Sequence, residues 1–493
     1  MRCINSYTGK IKCVSRSIFR GIMKKFSILV FILAITISFM VVCACGRRDE
    51  STSHSDESIK GIWQGTLKFP GLEVRIAFKF SETPDGKIQA VMLRPDENEI
   101  EIPASMAVFK YPDLRLAFVD VNGSFEGQIK EGVIEGQWKQ GQWVKPLILK
   151  QVSEIAKLAR PQTPKPPYPY DQQEVTFANR EANVEIAGTL TLPRENRPCP
   201  AAILIPGAGA HGRDYTILGH RPFLVLSDYL TRRGIAVLRY DERGVGGSKG
   251  DRSQATSEDY AQDVIAGINF LKTREEIDPQ LIGLIGHSEG GIIASIAAAK
   301  FPDVAYIVMM GSPGLPGEEY NYQYEESMSR ALGMSEEAIA ENRVFQERIL
   351  AVVLHEEDNS AAEEKIVKIY QEFGLEISAD RGAIAIKRFI SPWFRFSITH
   401  DPGATLMTVR CPVLAVIGEK DVHVPPDGNI EALRRALETG GNEDYKVEEL
   451  PGLNHFFQTA GTGSPVEYGK IEETISPVLL ELVGNWILEH ARK

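Results

Sequence analysis

Basic charge is what this chain has too little of. Against 55 lysines and arginines stand 66 aspartates and glutamates, a formal net charge of −11 over 493 residues. A nucleic-acid binder carries a basic footprint, so that class is excluded. Cysteine is also scarce, six in all. Cys3, Cys13, Cys43 and Cys45 precede the first strand-like segment, which leaves Cys199 and Cys411 for the folded part. Both stand beside proline ahead of an apolar run (RPCPAAILI, RCPVLAVIG), and they read as small buried residues rather than nucleophiles. No C-x-x-C pair, H-E-x-x-H, Walker loop or EF-hand loop occurs, so neither a metal nor a nucleotide is expected.

What is present is ordinary globular composition, 43% hydrophobic and 25% charged, in a chain long enough for two or three domains. Lys24 and Lys25 precede an apolar run from Phe26 to Ala44, and the polar RRDESTSHSDES follows. That pattern is an export signal. Its ending, VCAC from Val42 to Cys45, resembles the lipobox of bacterial lipoproteins. The resemblance implies an export segment over 1–45 that is cut before Cys45, lipidation of that cysteine as the mature N-terminus and a polar tether over 46–59. An uncleaved membrane anchor is the alternative, since the run is about long enough to span a bilayer. Either way the folded part is expected outside the cytoplasm, with the membrane met only through this N-terminal lipid or anchor. Met23, just before the two lysines, reads as the natural start.

Residues 60–152 alternate apolar and polar in short segments (GIWQGTLKF, LEVRIAFKF, GSFEGQIK, VIEGQWKQ) separated by Gly, Pro, Asp or Asn. This predicts a small all-β domain, a curved sheet or half-barrel. Trp63, Trp138 and Trp143 are expected in its core rather than along a groove. The stretch 153–172 contains RPQTPKPPYPY, which favours extended polyproline and reads as a semi-rigid linker. From 173 to 493 strands alternate with helices: VEIAGTLTL, AAILIPG, IAVLRYD, LIGLIG, AYIVMMG, PVLAVIG and KVEELPG are strand-like, with helical segments between them. Ser257 reads as the cap of SEDYAQDVIAGINFL. Such alternation implies an α/β fold with a parallel sheet covered on both faces. Residues 315–396 break the rhythm with charged helical segments and are expected to form a helical cap over the strand ends, where α/β ligands bind.

GHSEGG, Gly286–Gly291, follows the apolar strand LIGLI and opens the helix GGIIASIAAAK. In a G-x-S-x-G elbow a strand turns sharply into a helix and exposes the serine hydroxyl, which makes Ser288 the expected nucleophile. A serine needs a base held in one tautomer by an acid, and in this context both follow it in the chain. His455, in PGLNHFF after the strand KVEEL, fits the base; His400 and His423 are minor candidates. Asp421, in GEKDVHVPP after PVLAVIG, fits the acid, with Asp427 second. Two oxyanion N–H donors are expected at Glu289 and Ala208, the latter in ILIPGAGAHGRD, with Gly209 next. RYDERGVGGSKG lacks the G-x-G-x-x-G spacing and reads as a structural loop in which Asp241 and Arg243 satisfy backbone groups.

Taken in order, PGAGAHGRD, RYDERGVGGS, GHSEGG, GEKDVHVPP and PGLNHFF resemble the α/β-hydrolase superfamily. They are most similar to bacterial carboxylesterases with an N-terminal β domain, related to the serine aminopeptidase and dienelactone hydrolase groups. The likeness is strong over about 170–493 and weaker over the β domain, through its GxWxG opening and GQWKQG ending. It implies an α/β-hydrolase sheet with a helical cap after a small all-β domain. It also implies hydrolysis of a small ester through an acyl-enzyme on Ser288, Asp421 and His455, without a cofactor. Where many relatives have glycine-serine-glycine this chain has GAG, and Ala208 keeps its N–H. Trp393, Phe394 and Phe396 of SPWFRF are expected to close over the acyl group. A peptidase on the same triad is the second reading; it needs an acid for the substrate amine, for which Glu318 and Glu319 are candidates.

Overall fold

The computed structural model describes residues 59–95, 101–155, 159–375 and 386–491, apart from 70, 71, 122, 141 and 142. The export segment, Cys45 and the tether up to Ser58 lie outside the described residues.

Nine strands, β1 (Gly61–Phe69), β2 (Leu72–Glu82), β3 (Ile88–Leu93), β4 (Ile102–Pro103), β5 (Met106–Lys110), β6 (Asp113–Phe118), β7 (Gly123–Lys130), β8 (Val133–Gln140) and β9 (Trp143–Val152), make one antiparallel sheet. Their order is β4-β3-β2-β1-β9-β8-β7-β6-β5. The sheet curls until its edges meet. The Ala104 N–H donates to Ala90 O in β3, and the Ser105 N–H donates to Ala117 O in β6, each at 2.8 Å. Period-two alternation turns one side chain in two inward, and aromatic rings fill the interior: Phe78 lies 5.4 Å from Phe118 and 6.1 Å from Trp138 between ring centres. Trp63 and Trp138 are 4% and 2% exposed, so both are core residues, as expected. Trp63 also donates from Nε1 to Ile59 O at 2.8 Å. The side chain of Trp143 lies outside the described residues.

The second sheet comprises β10 (Asp171–Asn179), β11 (Val184–Leu192), β12 (Cys199–Ile205), β13 (Ala236–Tyr240), β14 (Ile277–His287), β15 (Ile307–Met310), β16 (Val413–Gly418) and β17 (Tyr445–Leu450). The order is β10-β11-β13-β12-β14-β15-β16-β17. The first two pairings are antiparallel and all others parallel. Both faces are covered, which is why the central strands are apolar throughout: every residue of β13 and β16 is buried. Ile203, Leu284, Met309 and Ala415 point to the helices Ser257–Leu271, Glu289–Lys300 and Pro426–Thr439. Their neighbours Leu204, Ile285, Val308 and Val416 point to the helices Pro222–Arg232 and Pro477–His490.

β12 has β13 on one side and β14 on the other. The connections leaving β12 and β14 therefore run to opposite faces, and a crevice opens at the carboxyl ends of these strands. Between β15 and β16 the helices Gly317–Ala331, Glu336–His355, Asn359–Glu372 and Pro392–Thr399 form the cap. It has its own core, including Phe345, Ile349, Ile366, Phe389 and Phe394. Ser335, Asp358 and Ser391 accept N–H bonds at the first turns of three of these helices.

Three local expectations are refined. The helix Ser257–Leu271 is capped by Thr256, not Ser257: the Asp259 carboxylate accepts from both the backbone N–H and the hydroxyl of Thr256. β10 begins at Asp171, inside the stretch read as linker. Upstream of it the chain is held on the α/β domain. Arg160 donates to Leu218 O, Gly469 O and Ile471 O, Gln162 bonds Thr474 and Ile475, and Tyr170 donates to Asp228 at 2.9 Å.

Candidate active site

Ser288 stands between β14 and the helix Glu289–Lys300 with φ 56° and ψ −123°. A non-glycine residue rarely adopts a positive φ, and here the surroundings impose it. A Cβ on Gly286 would stand 2.0 Å from Gly290 O, and one on Gly290 would stand 2.2 Å from Ile205 O. Only glycines let the turn close this tightly against β12. The Ser288 N–H donates to Met310 O at 2.8 Å, which ties the elbow to β15.

Asp421 and His455 follow β16 and β17. His455 Nδ1 lies 2.8 Å from Asp421 Oδ2, and both residues are buried, at 4% and 3% exposure. A carboxylate only accepts, so Nδ1 carries the proton and Nε2 is left with its lone pair. The other carboxylate oxygen accepts from the backbone N–H groups of His423 (2.9 Å) and Val424 (2.8 Å). His287, beside the nucleophile, donates from Nε2 to His455 O at 2.8 Å, and its Nδ1 accepts from the Tyr215 hydroxyl at 3.0 Å. Gly311, after β15, has its Cα against both Asp421 and His455. Ser288, after β14, and the Asp421–His455 pair, after β16 and β17, thus lie at the same carboxyl end of the parallel strands. Asp427 does not join them: it is exposed, in the kinked first turn of the helix Pro426–Thr439.

Burial holds the His455 imidazole neutral, with its pKa well below the ordinary histidine value. Burial pushes Asp421 upward, and the donors around it oppose that shift. A base must be neutral to act, and a depressed value preserves the neutral form to lower pH. kcat/KM is expected to fall on the acid side as the His455–Asp421 pair takes up a proton, a step that belongs to the pair rather than to either residue. A pH–rate profile without an acid limb would contradict a neutral His455 as the base.

Gly207 packs on the elbow, since a Cβ there would come within 2.9 Å of Ser288 Cβ and 2.7 Å of the Tyr215 hydroxyl. Ala208 is the next residue, is exposed, and accepts at its carbonyl from His211 Nε2 at 3.0 Å. Glu289 opens the helix after the nucleophile. Its carboxylate accepts from the Ser257 hydroxyl at 2.6 Å and from Trp393 Nε1 at 2.8 Å, a contact between cap and elbow.

The aromatic residues expected over the acyl group divide. Trp393 reaches the elbow through Glu289. Phe396 stacks on His400 at 4.9 Å and packs against the body of the hydrolase. Phe394 is a correction: it is 6% exposed and sits in the cap core, 5.3 Å from Phe389, because the helix Pro392–Thr399 turns adjacent residues to different faces. Asp241 accepts from the Arg213 and Gly247 N–H groups and Arg243 donates to Asp259 O at 2.9 Å, as expected, and Arg243 also forms a buried ion pair with Asp263 at 2.7 Å. Burial raises the Cys199 and Cys411 thiols, the second to about 12, which is unsuited to thiolate chemistry. Among the described residues, no cluster of three or more His, Cys, Asp or Glu side chains could hold a metal.

Sequence reasoning missed the roles of His287 and Tyr215 behind His455, and the placement of His423, whose ring lies parallel to that of His455 at 4.4 Å and 8°. Only the adjacency of His287 to Ser288 hinted at the first.

A family profile described as serine aminopeptidase, S33 matches residues 201–458, from β12 through the loop that carries His455. The chain belongs to this S33 family. S33 membership agrees with the α/β-hydrolase architecture and with the elbow in β14. Esterase EstD of Thermotoga maritima is 22% identical over 316 residues, covering 64% of this chain and 68% of that protein. An uncharacterized 31.7 kDa protein of the traX-finO intergenic region of Escherichia coli is 28% identical over 270 residues, covering 53% and 86%. Among solved structures, the α/β hydrolase GrgF from Penicillium sp. sh18 covers 66% of this chain and 100% of its own, at 17% identity and a TM-score of 0.42.

Proposed function

We propose that this S33-family chain is an exported serine carboxylesterase acting on small or glycan-linked esters. The observation that carries the reading is the positive-φ Ser288 elbow beside a buried His455–Asp421 hydrogen bond. Ser288 Oγ attacks the ester carbonyl while His455 Nε2 takes its proton, and Asp421 stabilises the imidazolium. The Glu289 and Ala208 N–H groups receive the oxyanion. His455 returns the proton to the leaving alcohol, and water then hydrolyses the acyl-enzyme by the same route. The kinship to a protein named an esterase supports this choice.

The family description favours the peptidase as second reading. It requires a carboxylate free to receive a substrate amine. Of its two candidates, Glu318 accepts from Tyr322 at 3.1 Å and Glu319 is exposed at the surface. A ladder of p-nitrophenyl acyl esters assayed beside aminoacyl anilides tests the choice. Turnover of short esters is expected, and cleavage of anilides alone would overturn it. Export and lipidation of Cys45 rest on the N-terminal sequence; mass spectrometry of the mature N-terminus is expected to find it at an acylated Cys45, and an intact run from Phe26 to Ala44 would make that run the anchor instead.

A further inference from the structure

Three non-glycine residues at positive φ surround the triad: Tyr215 at 53°, Ser288 at 56° and Phe457 at 58°. Each belongs to a different segment. Tyr215 follows β12 on the loop that carries Ala208, Ser288 is the elbow, and Phe457 lies just beyond His455. A bulky side chain holds such a backbone only where its surroundings impose it, and such positions cluster at functional sites.

One imidazole joins the three segments. His287 is 3% exposed and adjacent to Ser288. Its ring centre lies 5.4 Å from that of Tyr215 and 6.3 Å from that of Phe457, and the Phe456 ring covers it at 5.2 Å and 18°. Both nitrogens are used, Nδ1 on the Tyr215 hydroxyl at 3.0 Å and Nε2 on His455 O at 2.8 Å. A single atom fixes the direction of these bonds. A carbonyl only accepts, so His287 Nε2 carries the proton. Burial holds the ring neutral, with its pKa down at about 3, so Nδ1 keeps its lone pair. The Tyr215 hydroxyl must then donate to Nδ1, and its oxygen is left to face the Gly207 N–H. Gly207 packs on Ser288 and precedes Ala208. One directed series of bonds thus runs from the oxyanion loop, through Tyr215 and His287, to the backbone of the catalytic histidine.

We propose that Tyr215 and His287 are positioning residues that clamp the oxyanion loop, the elbow and the His455 loop in the single arrangement that the reaction requires. Both are buried, so they act through Ala208 and His455 rather than on the substrate. Their effect belongs to the transition state, where the oxyanion donor and the base must both stand correctly about Ser288.

Tyr215→Phe removes one oxygen and keeps the ring. In the full-length protein it is expected to lower kcat for p-nitrophenyl butyrate by about tenfold or more, with KM changed by less than about threefold. His287→Phe is expected to do the same. The double variant is expected to lose little more than either alone, because both break one series. The rate at which a fluorophosphonate labels Ser288 is expected to fall in parallel. The kinetic assay rests on the esterase reading above, whereas labelling needs the triad and no ester. A fall in labelling without any ester turnover would therefore defeat that reading and leave the clamp standing. Unchanged kcat and labelling in Tyr215→Phe, a loss confined to KM, or losses that multiply in the double variant would overturn the clamp. So would a ¹⁵N NMR spectrum of the unmodified protein that places the His287 proton on Nδ1, a measurement that does not depend on any variant folding.

Discussion

Ser288→Ala is expected to lower kcat/KM for ester substrates by about 10⁴-fold or more while the protein stays folded. The magnitude follows from what the hydroxyl does: without it no acyl-enzyme forms, and residual turnover comes from the oxyanion donors and binding alone. The fold should tolerate the change. The residue must adopt φ 56° whichever side chain it carries, and the elbow is fixed by backbone contacts, Gly286 on Gly290 and Ser288 N–H on Met310 O. Steady-state kinetics with a p-nitrophenyl ester and a far-UV circular dichroism spectrum suffice. A loss under about tenfold in the folded variant would remove Ser288 from the mechanism.

The second large effect belongs to Asp421→Asn, expected to cost about 10⁴-fold in kcat, as when a triad loses its carboxylate to an amide. One oxygen can still accept from the His423 and Val424 N–H groups, so the loop has reason to hold. The other position faces His455 Nδ1 at 2.8 Å. An amide nitrogen there donates, which drives the imidazole proton to Nε2, where the serine proton must arrive. The His455 carbonyl remains held by His287, so the ring keeps its place and loses its tautomer. A fall in kcat with little change in KM is the signature, because the substrate is still bound but not activated. A loss mainly in KM would assign Asp421 to binding instead.

The legible part of this chain was the part whose meaning is local. The elbow is written in five letters with its strand before and helix after. Asp421 follows the apolar strand β16 and His455 follows the strand β17, so their order and position could be read. The alternation from β1 to β9 gave a curved sheet with Trp63 and Trp138 inside. β10 was harder: DQQEVTFAN carries few apolar residues and follows a proline-rich stretch, and its burial comes from pairing with β11 along Asp171–Asn179. Ser257 reads as a cap until Thr256 and Asp259 are seen together. Phe394 could not be separated from Trp393 and Phe396 without knowing which face of their helix meets the cap core. Nor does any spacing announce that His287 would bond the carbonyl of a histidine 168 residues away, or that His423 would stack upon it. Those contacts exist only once β14, β15, β16 and β17 stand side by side.

The most direct test of the account is covalent. The protein is treated with a fluorophosphonate and the modified peptide located by mass spectrometry. Phosphonylation of Ser288, lost in Ser288→Ala and sharply slowed in Asp421→Asn, is the predicted result. Ester turnover with the label on another serine, or with none, would contradict a mechanism built on the β14 elbow.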